Sequence, residues 1–211
     1  TEFSFDTYNS SGLKGIVDNP KIDIKAIRAS GIEPIAISYL PFFGMTWKEL
    51  ANSPEKLAEV ERIAENMARD LKGIIDIFEL GNEVNGKRLE DHNQPEHYAI
   101  ICQSAYRGLK KGNPDCIVLS QGVARVDEDW MYRYLMTPGG ESCDAIAIHP
   151  YHGMASPETK YWVEYMQIAR DIMDKAGKKD MEIWITEIGT SYHRGRSTEQ
   201  QMAINHVRTF A

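Results

Sequence analysis

Two glutamates each follow a β-rich run. Glu83 lies in Phe78-Glu79-Leu80-Gly81-Asn82-Glu83-Val84-Asn85, and Glu187 in Ile183-Trp184-Ile185-Thr186-Glu187-Ile188-Gly189-Thr190. Carboxylates that end separate strands of one sheet can converge on one pocket however far apart they lie in sequence. Glycosidic bond cleavage needs such a pair, one proton donor and one nucleophile or base. A gap of about 5–5.5 Å between the two carboxyl groups retains the anomeric configuration, and one of about 6.5–9.5 Å inverts it. The acid of the pair must hold its proton near neutrality, through burial or through the negative charge of its partner.

Each of these residues also has a structural reading. Glu83 could cap a following helix, Glu187 could pair with a Lys or Arg on a neighbouring strand end, and Glu79 reads as a member of an ion pair or strand-end network. A third polar residue, His149, ends Ala145-Ile146-Ala147-Ile148-His149-Pro150-Tyr151, either as a site residue or as a hydrogen-bonded histidine at a strand exit. His152 follows closely, but Pro150 keeps the two off one helical face and no third ligand suggests itself. Neither a metal nor a cofactor is therefore expected.

Sugars stack their C–H faces on aromatic rings and present hydroxyls to polar groups. Tyr39, Phe42, Phe43, Trp47, Trp130, Tyr151 and Tyr192 all follow strand-like runs on the side that carries the glutamates. Tyr151, Trp47 and Tyr39 are the expected aromatic substrate contacts. Gln121 is the expected polar one, with Asn9, Arg125 and His193 as further rim candidates. Tyr161, Trp162 and Tyr165 lie within a helical repeat and are read as packing.

The elements that must position these residues alternate. Apolar residues at helical spacing mark 53–72 (Ser53 and Pro54 at its start, Gly73 at its stop), a segment opened by Pro95 that runs to Gly112, one opened by Ser156-Pro157 that runs to Gly177, and one from about Ser197. Between them lie Phe3–Tyr8, Ile32–Tyr39, Ile74–Leu80, Cys116–Ser120, Asp144–His149 and Glu182–Thr186, rich in Ile, Val, Ala and Trp. Strand–helix alternation predicts a parallel α/β sheet. An open doubly wound sheet and a closed barrel both fit that alternation, but no glycine-rich phosphate loop follows any strand, which leaves the nucleotide-binding open sheet without support. Glu83, His149 and Glu187, each at or just beyond the C-terminal end of a separate strand, favour a (β/α)8 barrel.

Composition narrows the classes of partner. The 211 residues carry Lys+Arg 24 against Asp+Glu 31, a net charge of −7, so a basic nucleic-acid-binding surface is not expected. No apolar run is long enough to span a bilayer, so no membrane partner is expected, while the compartment stays open. Cys102, Cys116 and Cys143 are odd in number and lack paired spacing; they read as buried thiols.

The Asn82-Glu83 and Thr186-Glu187-Ile188-Gly189 pair resembles the signatures of the clan A, or 4/7 superfamily, retaining glycoside hydrolases. The Gly-Asn-Glu and His-Pro-Tyr runs look most like its xylosidase/iduronidase and glucuronidase/heparanase branches. The resemblance implies a (β/α)8 TIM-type barrel, with Glu83 as general acid/base, Glu187 as nucleophile, Asn82 holding the sugar 2-hydroxyl, and His149 lining the site beside the nucleophile. It implies a β-linked oligo- or polysaccharide as substrate. If Glu83 ends strand four and Glu187 strand seven, the runs present are strands two to seven, and strands one and eight are not found in the single barrel domain of residues 1–211. A full barrel takes about 250 residues. The chain is accordingly expected to be an excerpt, or else a partial barrel closed by self-association or a complementing segment. A carbohydrate-binding or scaffold module without catalysis is the alternative function.

Overall fold

The computed structural model describes residues 2–4, 8, 12, 24–86, 93–151, 160–189 and 198–210. In chain order the strands are β1 (Glu2–Ser4), β2 (Ile35–Tyr39), β3 (Ile77–Glu79), β4 (Ile117–Leu119), β5 (Val123–Ala124), β6 (Ala145–His149) and β7 (Glu182–Ile185). The helices are α1 (Ile24–Ala29), α2 (Trp47–Ala51), α3 (Pro54–Leu71), α4 (Pro95–Gly112), α5 (Glu128–Leu135), α6 (Lys160–Lys175) and α7 (Glu199–Phe210). Every strand pairing is parallel: β1 with β2, β2 with β3, β3 with β4, β4 and β5 with β6, and β6 with β7. Among the described residues β1 and β7 are end strands. The architecture is thus a parallel α/β arc, the fold class expected of an incomplete barrel.

β4 and β5 are one strand broken by a bulge. β7 occupies one edge of β6 from Ala145 to Ile148, so Leu119↔Ala145 and Val123↔Ile148 both lie on the other edge. Four steps along β4–β5 therefore face three along β6, and the extra residue falls within Ser120–Gly122. Ser120 Oγ accepts the Ala147 N–H at 2.9 Å across the break.

Alternation sorts the strand side chains into two layers. Ala36, Phe78, Val118, Ile146 and Ile148 pack outward into the main core with the helices. Ile77, Leu119, Ala145 and Ala147 form a separate inner cluster with Ile35, Ile117 and Trp184. Glu79 and His149 continue this inner register at the C-terminal strand ends, so polar groups there rest on an apolar floor.

The helices follow from their caps and stripes. Ser53 accepts the Lys56 N–H at the start of α3, Pro54 occupies the first turn, and Val60, Ile63, Ala64, Met67 and Leu71 are buried. α4 buries Tyr98, Ile101, Cys102, Ala105 and Leu109. The two helices meet closely because Gly108 and Gly112 lack side chains: a Cβ on either would stand 2.2 or 2.1 Å from the carbonyl oxygen of Glu61 or Glu65. Arg107–Glu61 and Lys111–Glu65 ion pairs lace the same seam.

Several local expectations are revised. α2 and α5 are short helices that lack a long apolar stripe; the Thr46/Glu49 capping box and the Asp127 cap on the Trp130 N–H are their start signals. Trp130, expected on the rim, sits on α5, is 3% exposed and stacks on Tyr134 at 5.4 Å. Its place in the helix turns it into the core. The three cysteines are free and buried, as expected. The starts of the third and fourth predicted helices fall partly outside the described residues, as do Asn9, His152, Tyr192 and His193. Among the described residues no helix is long and apolar enough to cross a membrane.

Candidate active site

The exits of β3, β6 and β7 bring Glu83, His149 and Glu187 together. One donor atom from each lies within 4.8 Å of the other two. His149 Nδ1 is 3.4 Å from Glu83 Oε1 and 3.5 Å from Glu187 Oε2. The imidazole is fully buried, whereas the two carboxylate side chains are 39% and 40% exposed and so face the open end of the arc. Among the described residues no Lys or Arg forms an ion pair with either carboxylate.

Backbone constraints aim Glu83. Its N–H donates to Gly122 O at 2.7 Å, and its carbonyl accepts the Gly86 N–H at 2.8 Å. Between these anchors Glu83 adopts φ 47°, the left-handed region that costs a residue other than glycine on the order of 1–3 kcal/mol. Such strain persists where the surroundings over-determine it. Asn82 pairs with Gly122 in an isolated bridge, and Asn85 ties the same turn to β5 by accepting the Ala124 N–H at 2.9 Å.

Tyr151, one turn beyond β6, donates its hydroxyl to Glu187 Oε1 at 2.5 Å. This bond orients the carboxylate so that Oε2 faces His149. Burial, the bond to Glu187 and the negative charges of Glu187 and Glu83 push the phenol above its ordinary range, so it stays a donor.

On its other side His149 presents Nε2 to Glu79 Oε1 at 3.2 Å and to Thr186 Oγ1 at 3.1 Å. Burial pulls the imidazole down, but the Glu79 hydrogen bond and charge, with Glu187 and Glu83 behind them, outweigh it and raise its pKa above the usual value. Glu79 is itself fully buried. Its strand-end pairing follows from sequence, its partner does not. The signal was a carboxylate in inward register with Ile77, which requires a polar partner from another strand. The close approach of Gly122 and the Thr186 contact to His149 carry no signal in the sequence, because their importance is purely one of contact.

Beside Asn82 lies a cavity of about 110 Å³ lined by Tyr39, Leu40, Phe42, Trp47, Asn82 and Val84. Asn82 Oδ1 is buried without a partner among the described residues. Tyr39 stands 37% exposed at the cavity. Trp47 is only 4% exposed and packs on Tyr98 at 4.7 Å, so it lies largely within the core and reaches the site as a cavity wall. Gln121, an expected polar contact, is buried in the bulge at 1% exposure, with Oε1 unpartnered among the described residues. Arg125 is exposed, and its backbone pairs with His149.

Chemically, two half-exposed carboxylates on either side of a buried imidazole can hand protons to and from a ligand in the cleft. Among the described residues Glu83, His149 and Glu187 are also the set whose donor atoms could in spacing hold a metal ion.

A family model described as the glycosyl hydrolase catalytic core matches residues 34–210. The chain belongs to this family. A family 39 glycoside hydrolase from Bacteroides cellulosilyticus superposes with TM-score 0.66 at 16% identity, covering 100% of this chain and 46% of that one. A glucosidase from Croceicoccus marinus gives 0.64 at 18% identity, covering 88% and 41%. A family 51 α-L-arabinofuranosidase from Bifidobacterium longum gives 0.55 at 16% identity, covering 84% and 40%. The glycosyl hydrolase core described here thus spans less than half the length of these solved relatives. No curated protein sequence matches it. The clan A resemblance read from the two glutamate motifs is borne out at the level of family and fold.

Proposed function

We propose that this glycosyl hydrolase core carries the active site of a retaining glycosidase that cleaves β-linked oligo- or polysaccharides. One observation carries the reading: Glu83 and Glu187 present oxygens within 4.8 Å of each other across the cleft. That proximity supports the roughly 5–5.5 Å carboxyl spacing of retaining enzymes over the about 6.5–9.5 Å of inverting ones.

In the first step Glu187 Oε2 or Oε1 attacks the anomeric carbon while protonated Glu83 gives its proton to the departing glycosidic oxygen. The C–O bond to the leaving group breaks and a glycosyl ester of Glu187 forms. In the second step Glu83, now a carboxylate, takes a proton from water, whose oxygen displaces Glu187 and restores both groups. Asn82, with its unpartnered buried oxygen, accepts a sugar hydroxyl beside the nucleophile. Tyr39 offers the exposed aromatic face.

The test is a panel of aryl β-D-xyloside, β-D-glucoside and, because family 51 relatives include an α-L-arabinofuranosidase, aryl α-L-arabinofuranoside. Glu83→Gln and Glu187→Gln should each lower turnover by about 10²–10⁴-fold or more, and the first-formed sugar should keep its anomeric configuration by ¹H NMR. Near-normal activity in either variant, or an inverted first product, defeats the reading. Sugar binding without hydrolysis by the wild type supports the non-catalytic module instead, and loss of activity to a chelator supports metal chemistry at the same three donors.

A further inference from the structure

The two-glutamate reaction leaves Glu79 without a task. Its side chain has 0% exposure, and its inner-face neighbours Ile77, Leu119 and Ala145 are apolar. Oε1 faces His149 Nε2, while Oε2 is buried with no partner among the described residues. A carboxylate placed on a dry apolar floor is costly unless a specific contact offsets it. Its contact is His149, whose two nitrogens are divided: Nε2 looks down at Glu79 and Thr186, and Nδ1 looks up at Glu83 and Glu187.

A carboxylate only accepts hydrogen bonds, so its approach to Nε2 is attractive when that nitrogen carries the proton. We propose that Glu79 is a positioning residue that holds a proton on His149 Nε2 and thereby reserves Nδ1 for Glu83 and Glu187. The proposal rests on the glycosidase reading. Glu83 must alternate between acid and carboxylate; when it is neutral, bare Nδ1 accepts its hydrogen bond, and when it is charged, a protonated Nδ1 donates to it. No covalent step is added. Gly122 makes room for the arrangement, since a Cβ there would collide with both His149 Nε2 and Glu79 Oε1. Among the described residues the charged and titratable groups around His149 are Glu79 and Glu83 from β3 and its exit, Glu187 from the exit of β7, and Tyr151 from its own strand exit; Arg125 meets it through backbone, with the side chain exposed.

The experiment combines Glu79→Gln, which keeps shape and loses charge, with Glu79→Asp, which keeps charge. Two-bond ¹H–¹⁵N NMR of the His149 ring across pH reads the tautomer directly, and steady-state kinetics on an aryl glycoside reads the consequence. In the wild type Nε2 should stay protonated throughout while Nδ1 titrates. Glu79→Gln should mix the tautomers, move the imidazole titration to lower pH, and cut kcat by about 10- to 100-fold with KM within about twofold, and Glu79→Asp should restore part of each. A bare Nε2 in the wild type overturns the proposal, even if neither variant folds. So does a His149 titration or pH–rate profile unmoved by Glu79→Gln. A wild type that turns over no glycoside, yet shows the tautomer shift, defeats the glycosidase reading and upholds the Glu79–His149 assignment.

Discussion

The backbone of Gly122 lies against the ring of His149: a Cβ at position 122 would stand 2.1 Å from Nε2 and 2.2 Å from Glu79 Oε1. The bulge that joins β4 to β5 therefore forms the wall of the Glu79–His149 pair. Gly122→Ala should displace the imidazole, destabilise the fold by about 1–3 kcal/mol and lower kcat. Thermal unfolding and steady-state kinetics measure both, and an alanine variant with full stability and turnover contradicts the contact.

Tyr151→Phe removes the hydroxyl that orients Glu187. Hydrogen bonds to charged groups contribute about 1.5–3 kcal/mol, so kcat should fall on the order of 10- to 100-fold. KM and the melting temperature should change little, because Tyr151 is only half-buried beyond its strand. Kinetics and calorimetry on the purified variant check the split.

Stability should decline with rising pH through His149. The folded protein binds the imidazole proton more tightly than the unfolded chain, because Glu79, Glu187 and Glu83 outweigh burial. The contribution is complete below the ordinary histidine range of about 6.5 and disappears as pH climbs through the raised folded value. Urea unfolding of wild type and His149→Gln from pH 5.5 upward should show the gap between them narrowing toward alkaline pH. A gap that widens refutes the sign.

Gly108→Ala should act on the fold alone. Its Cβ would meet Glu61 O at 2.2 Å and Ala64 Cβ at 2.8 Å, forcing α3 and α4 apart at a loss of about 1–3 kcal/mol or more. Denaturant midpoints should drop while turnover per folded molecule stays at the wild-type level, since the seam lies on the helical side of the sheet.

Much of this was readable from the chain. Ile, Val and Ala runs bounded by caps and glycines located five of the strands, because strands covered on both faces need nearly continuous apolar sequence, whereas Phe3–Tyr8, which has none of these residues, overlaps β1 only at Phe3 and Ser4. The long helices 54–71 and 95–112 announced themselves by stripe, proline and glycine. Trp130 and Trp47 could not be assigned a side in the same way. Both are large aromatics near strand exits, and only the short helices α2 and α5 turn them into the core. The burial of Gln121 was not legible in the same way, because it sits in a single-residue bulge, and a bulge is a property of two paired strands rather than one.

The sequence by itself determined which residues stand at strand ends: Glu83, His149 and Glu187 follow from local periodicity and turn chemistry, which operate within a few residues. The tertiary structure decided which of them touch. Parallel pairing, register and the Ser120–Gly122 bulge set His149 between Glu79 below and the Glu83 and Glu187 carboxylates above. Those contacts join residues from three strands, so their energies depend on distances that no local pattern encodes.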